Sequence, residues 1–363
     1  MGKSVEISGR KIGADQPPYI IAEVSANHNG DLNQALKIID AAAEAGADAI
    51  KIQTYTADTI TLDSDAEDFK IKGGLWDGYT LYELYKQAHT PWEWHETLFS
   101  HAKARGVTIF SSPFDKSAVD FLESLGAPAF KIASFEAVDL PLIRYVAGKG
   151  KPMVISTGMA DLVEIDEAVQ AAREGGCQDL ILLHCVSGYP APPIDYNLET
   201  IRDLECRFGM PVGLSDHTLG NVSAVVAIAM GAAVVEKHVT LDRKGGGPDD
   251  SFSLEPGDLR QLCEDSRVAW EARGSIDYGL KSSERSNLIF RRSLYAVDSI
   301  PKGTEITNDN VRSIRPGLGI APKHLDQVLG AISKVDIPRG TPMSWDLIDV
   351  RGSTSRLDEP QNS

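Results

Sequence analysis

Cysteine is scarce in this sequence, and the few cysteines are not arranged in pairs. Only four occur among 363 residues, at Cys177, Cys185, Cys206 and Cys263. None forms a C-x-x-C motif, so neither a disulfide framework nor a zinc knuckle is indicated. Long apolar runs are also missing, since none approaches the roughly 18 residues needed to span a bilayer. The opening stretch, MGKSVEISGRKIGADQPP, lacks the apolar segment of a secretory signal. We therefore expect a cytoplasmic protein that does not bind membranes.

Positive charge is in short supply as well. The sequence has 36 lysines and arginines against 52 aspartates and glutamates, for a formal net charge of −16. A surface with this balance repels nucleic acids and anionic membranes, so a nucleic-acid partner is not expected. If the substrate is an anion, lysines and arginines must be gathered locally at its binding site.

The sequence does contain a regular alternation of short apolar strands and amphipathic helices. No Gly-rich dinucleotide fingerprint follows the first strand, which argues against a doubly wound sheet. Eight alternations over about 250 residues predict an α/β protein with a (β/α)8 TIM barrel, whose catalytic groups project from the carboxyl ends of the strands. The predicted strands are 19–24, 49–53, 108–111, 129–132, 152–156, 180–184, 212–214 and 234–238. The predicted helices are 32–45, 91–105, 117–125, 140–148, 162–175, 197–208, 221–231 and 257–273.

The regions outside the barrel have different compositions. Residues 1–18 are expected to form an N-terminal hairpin, and 19–275 the barrel. A polar linker over 276–292 leads to a small β-rich domain over 293–351, which has many Pro and Gly turn signals. The last segment, 352–363, has almost nothing to bury and is expected to be disordered.

One long insertion, between Gln53 and Pro91, interrupts the alternation. It mixes charged residues with the aromatic residues Trp76, Tyr79, Tyr82 and Tyr85. Because it follows the second barrel strand, it is predicted to fold over the catalytic mouth. Long loops in this position usually carry specificity.

Two histidines lie at the carboxyl ends of the last two predicted strands. His217 ends the cluster Ser-Asp-His, and His238 ends the cluster Glu-Lys-His. A strand–helix–strand unit places both clusters on one side, and alternation puts His217 and His238 inside. A lone histidine is more often a hydrogen-bonded structural residue, but a matched pair favours a divalent metal site. Mn²⁺, Mg²⁺ and Co²⁺ all suit such an open site. The Ser-Asp-His run is not a hydrolase triad, because neighbours on one strand cannot form that relay.

Two lysines lie within small or apolar runs, not on charged faces. Lys51 and Lys131 are costly inside a barrel unless they meet an anion or have a lowered pKa. With serines on nearby strands they resemble a cradle for phosphate and carboxylate. The alternatives are solvent-facing lysines, the commoner case for either one alone, or a Schiff-base lysine. Glu23 is expected near Glu236 and His238, either orienting a ligand or moving a proton, or paired with a barrel lysine.

A family resemblance rests on ordered motifs that span residues 19–350. These are NHNG, KIQT, SSPFD, KIAS, STGM, HCVSGYPAPP, SDHT and EKHVTL. Together they resemble the sialic acid synthases, which condense phosphoenolpyruvate with an N-acylated amino sugar to make a nonulosonic acid. The C-terminal part resembles the SAF, or antifreeze-like, domain that follows that barrel. Within the family the likeness is strongest to the pseudaminic acid synthases, through the insertion and FRRSLYAV.

The resemblance implies roles for individual residues. The implied sugar is 2,4-diacetamido-2,4,6-trideoxy-L-altrose, with the N-acetylneuraminate and legionaminic acid synthases as rival assignments. Glu23 becomes a catalytic carboxylate, and Arg315 implies a homodimer with a domain-swapped SAF domain. Ser187 and Gly188 depart from the sialic-acid branch, which puts the acyl-sugar contacts there in doubt. The implied metal ligands are His217 and His238, the phosphoenolpyruvate contacts Lys51, Ser112, Lys131, Ser134, Ser156 and Ser215, and the sugar contacts Tyr189, Glu236, Asp249 and Arg315.

The resemblance also implies a mechanism. The metal polarises the open-chain aldehyde, carbon 3 of phosphoenolpyruvate attacks it, water adds at carbon 2, and phosphate leaves through C–O cleavage. Either Glu23 or a metal-bound hydroxide serves as the base. Two other hypotheses stay open: a metal-dependent aldolase that uses pyruvate, and a non-catalytic carbohydrate- or ice-binding protein built on the SAF-like domain.

Overall fold

A computed structural model describes residues 4–350 of the chain. The predicted disordered segment, 352–363, lies outside the described residues. The chain divides into two compact units, and the boundary between them in the sequence falls between Gly274 and Ser275. Among the described residues, no helix is both long and apolar enough to cross a membrane.

The first unit is a closed barrel of eight parallel strands, in the order β10-β3-β4-β5-β6-β7-β8-β9. These strands are buried on both faces, which explains their almost continuous apolar sequences. The predicted α/β barrel is thereby confirmed. The strands are β3 (Tyr19–Glu23), β4 (Ala49–Thr54), β5 (Thr108–Pro113), β6 (Phe130–Ile132), β7 (Met153–Ser156), β8 (Leu180–Cys185), β9 (Val212–Asp216) and β10 (Val234–His238).

Helices cover the outside of the barrel. Four of them begin at an aspartate N-cap whose carboxylate accepts backbone N–H groups of the first turn, at Asp31, Asp115, Asp139 and Asp161. The helices of this unit are α1 (Leu32–Ala45), α2 (Ala57–Ile60), α3 (Leu81–Ala88), α4 (His95–Ala104), α5 (Lys116–Ser124), α6 (Leu140–Ala147), α7 (Leu162–Glu174), α8 (Thr200–Phe208), α9 (Val222–Met230) and α10 (Pro256–Arg273).

Two predicted helix starts are wrong. The helix expected from Pro91 begins at His95, because Pro91 has an extended backbone (φ −53°, ψ 132°) and a 3-10 turn over Trp92–Trp94 follows it. The helix expected from Asn197 begins at Thr200, and Asn197 adopts the left-handed conformation (φ 43°). In both places the helical sequence pattern extends further than the helix itself.

An N-terminal hairpin closes the amino end of the barrel. β1 (Val5–Ile7) pairs antiparallel with β2 (Arg10–Ile12), as expected. At the turn Gly9 has φ 81°, which glycine adopts at little cost. Val5, Ile7 and Ile12 form one buried cluster with apolar side chains of the barrel strands, Phe110 among them. The amino end of the barrel is therefore filled by apolar groups, and polar groups collect at the carboxyl end.

The second unit is small and rich in β-structure. β11 (Ser293–Ala296) pairs antiparallel with β12 (Val311–Ile314), and β13 (Ile332–Ser333) with β14 (Ile348–Asp349). A short helix, α11 (Leu325–Val328), lies between β12 and β13 in the sequence. Its own buried cluster includes Leu294, Ile306, Val311, Met343 and Ile348. The segment predicted as a linker, 276–292, is exposed throughout and contains a 3-10 helix over Ser282–Phe290.

Candidate active site

A cavity of about 470 Å³ lies in the barrel unit. Strand ends supply its polar lining, and the insertion after β4 supplies a second set of side chains. The predicted fold of this insertion over the barrel mouth agrees with that lining. A volume of this size lies within the range typical of small-molecule sites.

The two histidines at the carboxyl ends of the last barrel strands lie side by side in this cavity: His217 directly follows β9, and His238 is the last residue of β10. The ring centroids of His217 and His238 are 5.4 Å apart, and their planes are inclined by 67°. Both side chains are largely buried. The parallel pairing of β9 with β10, in which Ser215 lies opposite Glu236, brings the rings together.

The available ring nitrogens fit a metal ion held by two protein ligands. His217 Nδ1–H donates to the Val186 carbonyl at 2.9 Å, which leaves Nε2 as the unprotonated nitrogen of the neutral ring. His238 Nδ1 is buried and lies 3.8 Å from Asp249 Oδ2, and none of the described residues forms a hydrogen bond with it. Among residues 4–350, no group of three or more His, Cys, Asp or Glu side chains is arranged to hold a metal. A bound ion would therefore need water or substrate to complete its coordination.

The protonation of the two rings differs. Burial lowers the pKa of His238 well below its usual value, which keeps this imidazole neutral and able to ligate. Burial also lowers the pKa of His217, but contacts with the Cys185 thiol and the Val186 carbonyl more than offset this, and its pKa is raised. A metal ion at His217 would compete with that proton.

Below the histidines, two lysines and two glutamates form a buried charged cluster. Lys51 Nζ lies 3.2 Å from Glu23 Oε2 and 3.0 Å from Glu236 Oε1. Lys131 Nζ lies 3.7 Å from the same Glu236 oxygen. All four side chains are nearly inaccessible. The structure therefore places both predicted lysines inside the barrel and pairs them with carboxylates.

Burial makes two members of this cluster titrate near neutral pH. It raises the pKa of Glu23 to about 7, with Lys51 partly opposing the shift. It also lowers the pKa of Lys131 to about 8. Burial raises the pKa of Glu236, but the attraction of Lys131 and Lys51 lowers it by more. The net pKa lies below the usual value, so this carboxylate stays ionised. In Lys51 the two carboxylates outweigh burial and raise the pKa. Glu23 is thus the carboxyl suited to accept and release a proton.

A chain of hydrogen bonds links Glu23 to Asp249, which lies beside His238. Gln53 Nε2 donates to Glu23 Oε1 at 2.9 Å and to Ser25 Oγ at 3.0 Å. The Ser25 hydroxyl donates to Asp249 Oδ2 at 2.5 Å, and that carboxylate faces His238. Asp249, predicted as a sugar contact, therefore lies beside the histidine pair.

The predicted serines occupy different depths. Ser134, Ser156 and Ser215 line the cavity, and the Ser215 hydroxyl donates to Glu236 Oε1 at 3.4 Å. The Ser156 hydroxyl is buried with no partner in the described chain, so it has a free hydrogen-bonding group. Ser112 lies deeper and accepts from Lys51 Nζ at 3.5 Å.

Aromatic side chains enclose the histidine pair. The ring of Tyr189, a predicted sugar contact, lies 4.3 Å from that of His217, centroid to centroid. Trp76 lies 5.5 Å from Tyr189, and its indole N–H donates to the Pro248 carbonyl at 3.0 Å. This hydrogen bond holds the insertion against the loop that follows β10. Arg315, by contrast, belongs to the second unit, where it follows β12 and is exposed.

Several site residues were given no role from the sequence. Gln53 was noted beside Lys51 on the second barrel strand, and Glu136 after the fourth, as polar residues facing inward, but neither was assigned a function. Glu136 lines the cavity, burial raises its pKa to about 7, and its Oε2 has no partner among residues 4–350. Trp76 gave no positional signal, because the fold of a long insertion cannot be read from periodicity. Cys185 Sγ lies 3.9 Å from His217 Nδ1, because Cys185 on β8 lies opposite Ser215 on β9.

The sequence and the fold both match characterised proteins. The NeuB family profile matches residues 38–278, and the SAF domain profile matches 291–349. The chain is 46% identical to a pseudaminic acid synthase of Campylobacter jejuni (strain 81-176), over 90% of this chain and 95% of that protein. It is 41% identical to the pseudaminic acid synthase of Helicobacter pylori (strain 26695), over 92% and 98% of the two chains.

A solved structure gives the same result. The N-acetylneuraminic acid synthetase of Leptospira borgpetersenii, crystallised with citrate, superposes with a TM-score of 0.71 at 32% identity. The match covers 79% of this chain and 96% of that one. The resemblance drawn from the motifs is confirmed. The chain belongs to the NeuB family of nonulosonic acid synthases, and it carries a SAF domain after its barrel.

Proposed function

We propose that this enzyme is a pseudaminic acid synthase, condensing phosphoenolpyruvate with 2,4-diacetamido-2,4,6-trideoxy-L-altrose. The observation that carries the proposal is the paired histidines above a buried lysine–glutamate cluster. That arrangement occurs in a chain 46% identical to a protein named pseudaminic acid synthase. The chain spans nearly the full length of that relative, which supports transfer of the whole activity.

Phosphoenolpyruvate would bind at the base of the cavity, beside the buried charged cluster of Lys51, Lys131, Glu23 and Glu236, which we call the charged floor. Lys131 pairs with Glu236, and its remaining N–H donors would bind phosphate or carboxylate oxygens. Lys51 has three N–H donors and three partners, Glu23, Glu236 and Ser112, so a bound anion would replace one of them. The free Ser156 hydroxyl, Ser134 and Ser215 would add neutral hydrogen bonds. Glu236 would hold both ammonium groups at the floor between turnovers, because it contacts each of them.

The sugar aldehyde would lie at the histidine pair. A divalent cation on His217 and His238, with Mn²⁺, Mg²⁺ and Co²⁺ as candidates, would supply Lewis-acid polarisation of that carbonyl. Asp249 would fix the orientation of His238, and Tyr189 would contact the sugar on the His217 side. Arg315 would contact the sugar from a partner subunit, in a homodimer with a swapped SAF domain.

Glu23 would act as the general base that accepts a proton from the attacking water. Carbon 3 of phosphoenolpyruvate forms the new C–C bond with the aldehyde carbon, and positive charge develops at carbon 2. Water attacks carbon 2 and gives a proton to the Glu23 carboxylate. The bond between carbon 2 and the bridging oxygen then breaks, and phosphate leaves with the electron pair and with the proton of the carbon-2 hydroxyl, which becomes the ketone. The proton on Glu23 passes to the former aldehyde oxygen, which becomes a hydroxyl. The Gln53–Ser25–Asp249 chain keeps Glu23 oriented during this transfer.

One experiment tests the reaction and its rivals. Purified protein is incubated with phosphoenolpyruvate and a panel of acetamido sugars, with and without chelator, and products are identified by mass. We expect a pseudaminic acid mass, one phosphate released per sugar consumed, and loss of activity with chelator. Turnover of pyruvate without phosphate release would instead indicate an aldolase. Activity that survives the double substitution His217→Ala and His238→Ala would contradict the proposed site.

A further inference from the structure

The cavity has two chemically different sides. Charged and hydrogen-bonding groups occupy the side formed by the strand ends. The other side is formed mainly by the insertion, whose lining side chains are aliphatic or aromatic, the latter being Tyr55, Trp76 and Tyr85. We call the larger residues of this side that have no polar side-chain atom the apolar wall: Ile60, Ile71, Leu81 and Leu84 from the insertion, with Phe114 and Phe135 from loops after β5 and β6.

The apolar wall offers no cation to a substrate. Among the described residues that line the cavity, the basic side chains besides the histidines are Lys51 and Lys131. Both lie on barrel strands and are paired with Glu236. Glu136, which follows Phe135 in the chain, also lines the cavity and has a carboxyl group. A phosphate at the wall would meet no cation among the described residues, and a hydroxyl packed against these apolar side chains would lose water without a hydrogen bond from them.

The reaction fixes which end of the sugar meets this wall. The aldehyde carbon must lie beside the histidines and the charged floor, because phosphoenolpyruvate binds there. The remaining carbons then extend away from the strand ends, towards the insertion. Resting on the proposed function, we infer that the apolar wall determines specificity at the far end of the sugar, selecting a terminal methyl group over a hydroxymethyl or a phosphorylated one.

The test compares two sugars that differ only at this end. Wild-type protein is assayed with the 2,4-diacetamido-2,4,6-trideoxy sugar and with its 6-hydroxy counterpart, and kcat/KM is measured from phosphate release. We expect the 6-deoxy sugar to be preferred by about 10- to 100-fold, the range that apolar pockets achieve. The 6-phosphate sugar should give no measurable turnover.

Substitution within the wall should change this ratio. Ile60→Thr is expected to reduce the 6-deoxy preference at least several-fold. Ile71→Thr provides a second variant in case the first is unstable. Leu62→Thr is the matched control, because Leu62 lies two residues from Ile60 in the insertion but is 62% exposed and does not line the cavity. It should leave the preference unchanged.

The outcomes separate this inference from the function it rests on. A general loss of structure would lower kcat/KM for both sugars together and leave their ratio intact. A wild-type ratio near one, or wall variants that keep the wild-type ratio, would overturn the role of the wall while the synthase activity stands. If no sugar in the panel consumes phosphoenolpyruvate, the proposed function itself has failed.

Discussion

At the level of single residues, the site depends on the buried carboxyl group of Glu23, whose protonation is set by two opposing effects, burial and the charge of Lys51. Glu23 is inaccessible to solvent and contacts Lys51, yet burial still raises its pKa to about 7. Glu236 contacts the same lysine and stays ionised, because Lys131 also faces it. Two glutamates that share a lysine thus differ in protonation, and only Glu23 is suited to proton transfer.

Glu23→Gln should therefore remove proton transfer while preserving shape. We expect kcat to fall by about 100- to 10,000-fold, the usual contribution of a general base. In the wild type, activity should rise as the pH increases through about 7, because the base must be deprotonated. The residual activity of the variant should lack this rise. A pH profile with the same acidic limb in both proteins would rule out Glu23 as the base.

The same residue gives a stability measurement with a defined sign. The folded pKa of Glu23 lies above its unfolded value, so folding favours the protonated form. This contribution to stability is complete below the unfolded pKa and is lost as the pH rises through about 7. The free energy of unfolding of Glu23→Gln, relative to wild type, should accordingly increase across that interval in denaturant titrations.

How far the sequence predicts the site can be judged from particular residues. Strand alternation places His217 and His238 on matched positions of neighbouring strands, and the apolar runs around Lys51 and Lys131 favour an inward position without excluding a solvent-facing one. Neither signal shows that Glu236 contacts both lysines, since that depends on side-chain distances across the lumen. Trp76 is further beyond prediction, because its hydrogen bond to Pro248 joins segments 172 residues apart.

At the level of elements, an ion pair in the helix-facing layer connects the two strands that carry the histidines. Lys237 Nζ lies 2.8 Å from Asp216 Oδ2 and donates to the Thr218 carbonyl at 2.6 Å. Lys237 and Asp216 alternate with the cavity-facing side chains on β10 and β9, so they point away from the site. Both are buried. The pair fixes the carboxyl ends of the two strands relative to each other.

Breaking this pair should destabilise the barrel and weaken metal binding. Lys237→Met leaves Asp216 buried without its partner, and we expect a loss of about 3–5 kcal/mol in unfolding free energy. Adding Asp216→Asn should restore part of that loss. Titration calorimetry with Mn²⁺ should show weaker binding in the single variant, although neither residue reaches the cavity.

The matched control for this experiment is Arg207→Met, which breaks the exposed pair between Arg207 and Asp203 within α8. It should resemble the wild type in both stability and metal binding. If Lys237→Met binds Mn²⁺ as tightly as wild type, the ion pair stabilises the fold without positioning the histidines.

Helices and strands were predicted well where the hydrophobic periodicity is strong, and poorly where local backbone geometry determines where an element begins. β10 and α1 match their predicted bounds, and α1 ends at Gly46, which adopts the left-handed conformation (φ 94°). α2 and α3 in the insertion were not predicted. α3 begins at a capping box formed by Thr80 and Glu83, a signal that exists in the sequence but is easily lost among charged residues.

At the level of the whole molecule, the eight-fold alternation predicts the barrel because each strand must be buried between its neighbours and a helix. The second unit was predicted from its Pro and Gly turn signals, and in the structure it has a buried cluster of its own. The role of Arg315 in another subunit does not follow from either. It depends on how two copies assemble, and the proposed swapped homodimer therefore needs a direct test.

Complementation between two inactive variants provides that test. Arg315→Ala keeps an intact barrel site, and the double variant His217→Ala with His238→Ala keeps an intact SAF domain. In a swapped homodimer that mixes the two, one site combines a wild-type barrel with a wild-type Arg315. Co-expressed variants that assemble at random should regain roughly a quarter of wild-type sites, because half of the dimers are mixed and each has one complete site.

The control is the same pair of variants purified separately and assayed together without subunit exchange, which should stay inactive. Phosphate release from the co-expressed mixture distinguishes the two arrangements, and mixed dimers isolated through a different tag on each variant should reach about half of wild-type activity, because one of their two sites is complete. If Arg315 acts on the barrel of its own chain, every site in the mixed dimer lacks one essential group, and no activity returns. The recovered fraction thus measures directly whether the SAF domain serves its own active site or that of its partner.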